Sequence, residues 1–130
     1  MRTLPVHDRR NSRASGAVAL AWELPAQPAG RLQWEPPADV WETGESLVIR
    51  AEVAGIGEDD FDVTVYRDAV VLTGRRVRQI TAGATFHAVA IETGRFRLEV
   101  PLPAPVDGRA VLARLERGLL TVTLPWQKPR

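Results

Sequence analysis

At 130 residues, 45% hydrophobic and 25% charged, the chain has the composition of one folded domain, long enough to bury roughly two-thirds of the surface its unfolded form exposes. Its net charge of +1, with basic and acidic residues interspersed, sets up no strong field for nucleic acid or an anionic membrane. With no cysteine there is no disulfide, thiolate metal site or cysteine nucleophile, and the longest apolar runs are too short to span a bilayer, so a cytoplasmic protein is expected.

Residues 1–35 differ from the rest. The basic run Arg9, Arg10 and Arg13 reads as a solvated tail in preference to a nucleic-acid arm or an export signal, because the apolar run "AVALAW" behind it is six residues long and lacks a clear cleavage site. The island "AVALAWELP" is bounded by Pro25 and Pro28 and falls short of the roughly 12–15 residues an isolated helix needs. Residues 1–35 are therefore expected to form a flexible N-terminal arm.

From residue 36 the rhythm becomes period two. In "SLVIRAEVA", Leu47, Ile49, Ala51 and Val53 fall on one face and Arg50 and Glu52 on the other, the alternation of a strand with one wet side. "FDVTVYRDAVVLTGRR" predicts a hairpin: Phe61, Val63 and Val65 face inward, a tight turn lies near Arg67 and Asp68, and Val70 to Thr73 form the partner strand, ended by Gly74. "RFRLEVPLP" points Phe96, Leu98, Val100 and Leu102 inward against Arg97 and Glu99, with Pro101 marking an edge or a strand end. Finally "AVLARLE" and "LLTVTLPW" carry Val111, Ala113 and Leu115, then Leu120, Val122 and Leu124. Gly118 between them supplies either a positive φ at a corner joining two strands or a β-bulge in one longer strand, and the spacing leaves both open. Six or seven short strands separated by turn signals, with no convincing helix, predict an antiparallel, immunoglobulin-like β-sandwich over residues 36–126, followed by a short tail at 127–130.

Catalytic constellations are missing. Ser12, Ser15 and Ser46 have no histidine at a plausible offset, and "AGIGEDD" places acidic residues where a phosphate loop needs a lysine. Glu58, Asp59 and Asp60 are adjacent in a connection and read as solvated loop charges. His7 and His87 have no partner at ligand spacing, so no metal or other cofactor is expected, and the chain is not expected to be an enzyme. Trp22, Trp34 and Trp126 lie outside or at the ends of the strand pattern, where aromatic residues more often dock onto a partner surface than bind a small ligand.

The ordered phrases "PPADVWETGESLVI", "AEVAGIGEDDFDVTV", "AVVLTGRR", "ETGRFRLEVPLP" and above all "ARLERGLLTV", where Ala113, Gly118, Leu119, Leu120 and Val122 fit the pattern A-x-x-x-x-G-[VL]-L-x-[VIL], together resemble the α-crystallin domain of the small heat-shock proteins over about residues 36–126. The resemblance implies a two-sheet sandwich, an ATP-independent holdase that binds partly unfolded client proteins, and a homodimer as building block. It implies that residues 84–91, with Ala84, Phe86, Ala88 and Ala90, reach across as an exchanged strand to the partner's strand holding Val40 and Trp41. It suggests Val18, Leu20, Trp22 and Leu24 of the arm as client contacts. A groove between the strand of Val63 and Val65 and the strand of Val111, Ala113 and Leu115 would receive an I-x-I tail in the family; for these residues core packing and groove lining stay equally open. Two departures stand out. Only "QKPR" follows the last strand, which favours a dimer or small oligomer, and Leu98 stands where the family has an arginine, with Arg97 one residue earlier on the opposite face. A non-chaperone interaction module, co-chaperone-like or an assembly factor for one specific partner, is the alternative.

Overall fold

The computed structural model describes residues 3–14 and 33–129. Among the described residues nine strands follow in chain order: β1 Thr3–Leu4, β2 Val6–Arg9, β3 Ala38–Glu42, β4 Ser46–Glu52, β5 Phe61–Tyr66, β6 Ala69–Arg76, β7 Gly94–Pro101, β8 Leu112–Glu116 and β9 Leu119–Pro125, with a 3-10 turn at Gly108–Ala110 before β8. They form two sheets, one in the order β1-β8-β9-β4-β3 and the other in the order β2-β5-β6-β7. Every strand pairing is antiparallel except β2 with β5, which is parallel.

The sandwich follows from alternation. Ile49 and Ala51 of β4, Val63 and Val65 of β5, Val70 and Leu72 of β6, Ala113 of β8 and Leu120, Val122 and Leu124 of β9 are all fully buried between the sheets, joined by Phe96, Leu98 and Val100 of β7. Each large aliphatic side chain so placed contributes about 1.5–3 kcal/mol relative to an exposed one, enough for short strands to hold together as a two-layer core. Val63, Val65, Val111 and Ala113 are thus core residues. Val111 immediately follows the 3-10 turn and precedes β8.

Three local features depart from the sequence expectations. Gly74 lies inside β6, which continues to Arg76; it pairs with Phe96, and a Cβ there would come within 2.5 Å of the Phe96 ring. The glycine is an accommodation for the aromatic ring opposite, so the strand runs through it. At Gly118 a two-residue hairpin turn joins β8 to β9, with Glu116 paired to Leu119 and both Arg117 (φ 53°) and Gly118 (φ 79°) left-handed, so the corner is favoured over the bulge and Arg117 shares the unusual conformation. Most consequential, residues 3–14 do not behave as an arm: β1 extends the first sheet and β2 the second. Val18, Leu20, Trp22 and Leu24 lie outside the described residues.

Candidate functional site

A two-sheet sandwich has two lateral openings where the edges of its sheets face each other. Here one opening lies between β8 and β5 and the other between β3 and β7.

The first opening is the predicted groove, and the chain's own residues 3–9 close it. Leu4 pairs with Ala113 on the first sheet, Pro5 carries the chain across, and Val6 pairs with Val63 on the second. Leu4 is 5% exposed and belongs to the core cluster; Val6 and the half-buried Leu115 pack against it. Beyond β2 a polar clasp follows. The Arg10 guanidinium donates to both Asp8 carboxylate oxygens at 2.8 Å and to the carbonyl of Val106 at 3.1 Å. Hydrogen bonding to Arg10 holds the Asp8 carboxyl below its ordinary value and raises that of Arg10 in turn. Gly108 leaves room for the clasp, since a Cβ there would lie 2.4 Å from Arg10 Nε. Further on, the Ala14 amide donates to the Asp68 carboxylate at 2.7 Å and the Arg67 amide to the Ser12 carbonyl at 2.9 Å, fastening the segment to the β5–β6 turn. His7 adds a hydrogen-bonded contact to Asp62 at 3.1 Å.

The second opening is different. Residues 33–37 cross it from β7 to β4: Trp34 exchanges backbone hydrogen bonds with Arg95 and Arg97, and the Pro37 carbonyl accepts from the Glu52 amide. Beside this crossing lies a cleft of about 790 Å³, lined by Pro36, Pro37, Val40, Trp41, Leu98 and Val100. β3 is exposed along its whole length and forms the free edge of its sheet, with Val40 47% and Trp41 38% exposed. The Arg50 guanidinium sits 5.1 Å from the centre of the Trp41 ring. Leu98 is buried at the margin of the cleft, and Arg97 bonds Glu99, which also lines it, at 3.1 Å.

Next to the cleft, residues 77–93 form a long connection between β6 and β7 that carries no strand. Val77, Ile80, Phe86, Val89 and Ile91 are each more than half exposed, unlike any other large apolar side chain among the described residues. Ala84, Ala88 and Ala90 are exposed beside them. The connection is pinched at its base. Arg76 donates to the carbonyls of Glu92 and Ala54 at 2.8 and 3.1 Å and lies 4.3 Å from the centre of the Trp34 ring, and Arg78 bonds the Ile91 carbonyl and the Thr93 hydroxyl.

Two expected partner-docking tryptophans are used at home. Trp34 is 5% exposed, packs on Phe96 with ring centres 5.4 Å apart, and donates its indole N–H to the Gly94 carbonyl. Trp126 is half-buried against the core and donates to the Thr43 carbonyl. The sequence reading missed Leu4, Val6, Asp8 and Arg10, for which the available signal was two aliphatic residues, two apart, flanking a proline. It also missed Arg76, hidden in the "GRR" phrase.

The two-sheet sandwich is the fold of a known class of proteins, as comparison with solved structures shows. The profile of the Hsp20/alpha crystallin family matches residues 39–130. Spore protein SP21 of Stigmatella aurantiaca is 37% identical over 91 residues, covering 69% of this chain and 54% of that protein. The 17.8 kDa class I heat shock protein of Arabidopsis thaliana is 31% identical over 109 residues, covering 82% of this chain and 66% of that protein. Among solved structures, HSP18.5 from E. histolytica superposes with a TM-score of 0.65 at 26% identity, over 75% of this chain and 93% of that one. The chain belongs to the Hsp20/alpha crystallin family. It spans between about half and two-thirds of the length of these two curated relatives.

Proposed function

We propose that the protein is an ATP-independent holdase chaperone that binds partly unfolded chains and works as a homodimer built by strand exchange. The observation that carries this reading is the pairing of two incomplete features on one flank: an edge strand exposed along its whole length, β3, and an apolar connection with no sheet of its own, residues 77–93. An exposed edge offers unpaired N–H and C=O groups, and an extended segment of a second copy satisfies both at once. In that arrangement residues 84–91 add to the partner's β3, and Phe86 and Val89 cover the apolar surface around Val40 and Trp41. Membership in a heat-shock family supports the chaperone role, which needs apolar surface offered to non-native chains and charged faces to keep the complex in solution.

Client binding is tested by light scattering of a heat- or reductant-destabilised client, without nucleotide. A stoichiometric excess of the protein is expected to suppress aggregation, and unchanged scattering would reject the holdase in favour of a module for one specific partner. For assembly, removal of residues 84–91 is expected to convert a dimer to a monomer in sedimentation, and a deletion variant that remains dimeric would reject strand exchange.

A further inference from the structure

We infer that the chain holds a small-molecule site at one end of the sandwich, a pocket beside Tyr66 and Arg67 that takes the carboxylate of a small apolar acid. The pocket shares no lining residue with the cleft beside β3, and the inference stands apart from the holdase reading.

Three observations carry it. The first is a formed cavity. Where β2, β5, β7 and β9 end, the segments that follow them surround about 270 Å³. Main-chain hydrogen bonds tie these walls in place: the Arg67 amide donates to the Ser12 carbonyl at 2.9 Å, the Leu102 amide to the Asp68 carbonyl at 3.0 Å and the Gln127 amide to the Pro105 carbonyl at 2.9 Å. A pocket held in this way exists before a ligand enters, as most small-molecule sites do. The second observation is the polar lining. Arg10, Tyr66, Arg67 and Gln127 supply two guanidinium groups, a phenol and a carboxamide, all able to donate, and among the described residues no carboxylate lines the pocket. Arg10 is already neutralised by Asp8, and Asp107 attracts it as well, so Arg67 supplies the charge open to a ligand. The side chains of Arg67 and Tyr66 make no hydrogen bond or ion pair among the described residues, and the neighbouring Asp68 is engaged by the Ala14 amide at 2.7 Å. The third is the apolar remainder: Leu102, Pro105 and Val106 complete the walls, with Val106 buried in the main core and Leu102 packed against it.

These features select one chemistry. A guanidinium presents a planar fork of N–H donors that matches the two oxygens of a carboxylate, and a phenol beside it adds a third donor. The apolar walls favour a ring or a branched alkyl body. The volume falls just below the roughly 300–1,000 Å³ of sites for drug-sized ligands, which limits that body to about one ring. A free acid and the last residue of a polypeptide both carry this chemistry.

Tyr66 is the only tyrosine in the chain, so in the full chain carrying ring-13C tyrosine the ring signals report on this pocket alone. Titration with benzoate is expected to move them saturably, with half-saturation at or below about 1 mM. Benzamide, the same ring without the charge, is expected to bind at least about tenfold more weakly. Arg67→Ala, which keeps the main-chain amide that ties the turn, is expected to weaken benzoate by at least about tenfold as well. A parallel titration with the tripeptide Ala-Ala-Phe separates the two sources. Saturation by benzoate alone assigns a free acid, by the tripeptide alone a chain end, and by both a site that reads only the terminal residue. No saturable shift with either acid up to about 10 mM would overturn the site. Equal affinity for benzamide, or for benzoate in the Arg67→Ala chain, would overturn it too. Should that variant fail to melt cooperatively, Arg67→Lys keeps the charge and loses the fork; it is expected to weaken benzoate several-fold, and unchanged affinity would count against the site. None of these readouts involves a client protein, so their failure is separate from failure of the holdase assay.

Discussion

Arg117 and Gly118 show how much one turn demands. Both have positive φ, a Cβ on Gly118 would lie 3.1 Å from Ala54, and the Gly118 carbonyl accepts from the Val53 amide at 2.8 Å, tying the hairpin to the end of β4. Gly118→Ala therefore combines left-handed strain with crowding against backbone and is expected to cost about 1–3 kcal/mol, read as a lower urea midpoint at unchanged slope. A midpoint shift within error would mean the turn relaxes freely. Asp8 is a titration point of a different kind. Its carboxyl is held below the ordinary value chiefly by hydrogen bonding to Arg10, with Arg109 adding attraction, while Asp107 attracts Arg10 in turn. A depressed carboxylate stabilises the folded form fully above its unfolded value and loses that contribution as pH falls through the folded one. Hydrogen exchange at the amides of β1 and β2 is thus expected to show rising local opening only on acidification below the usual carboxylate range. Asp8→Asn should raise that opening at neutral pH while β4 and β9 stay protected. Equal exchange in both proteins at neutral pH would mean that the clasp does not hold the segment down.

Among the elements, the connection 77–93 and the segment 33–37 both touch one side chain, Arg76. Arg76 lies against Trp34 and bonds the carbonyl of Glu92 at the end of the connection and that of Ala54 after β4. Arg76→Ala is expected to speed chymotryptic cleavage at the exposed Phe86 several-fold, since cleavage tracks the population of the opened segment. An unchanged rate would assign the loop's position to Arg78 and backbone contacts instead. Strands were legible because period-two alternation and burial are the same fact seen twice: Leu47, Ile49, Phe61, Val63, Phe96, Leu98, Val122 and Leu124 all lie inside, as their spacing requires. The turn at Arg67 and Asp68 and the corner at Gly118 were legible for a similar local reason. What could not be read was anything decided by partners distant in sequence. Leu4 pairs with Ala113 and Val6 with Val63, and nothing in "TLPVHD" announces either edge. Gly74 was read as a stop because its reason, the Phe96 ring, stands on another strand. Trp34 was placed outside the core for lack of any sign that residues 33–37 return to β7.

At the scale of the whole molecule the two flanks have opposite characters, one closed by the chain itself and one with an uncovered edge. If a second copy covers the open flank, folding and association are linked, and the melting temperature is expected to rise with protein concentration, whereas the variant lacking residues 84–91 melts at one temperature across the same dilution series. A concentration-independent melt of the intact chain would argue for a monomer. The closed flank carries a consequence for biosynthesis. Leu4 leaves the ribosome about 110 residues before its partner Ala113, a delay of roughly 5–20 s at elongation rates of about 5–20 residues per second. β2 can pair with β5 once residues 61–66 have emerged, but Leu4 has no seat until β8 has been made. A seated Leu4 therefore reports that translation has passed β8, a strand more than a hundred residues further along the chain.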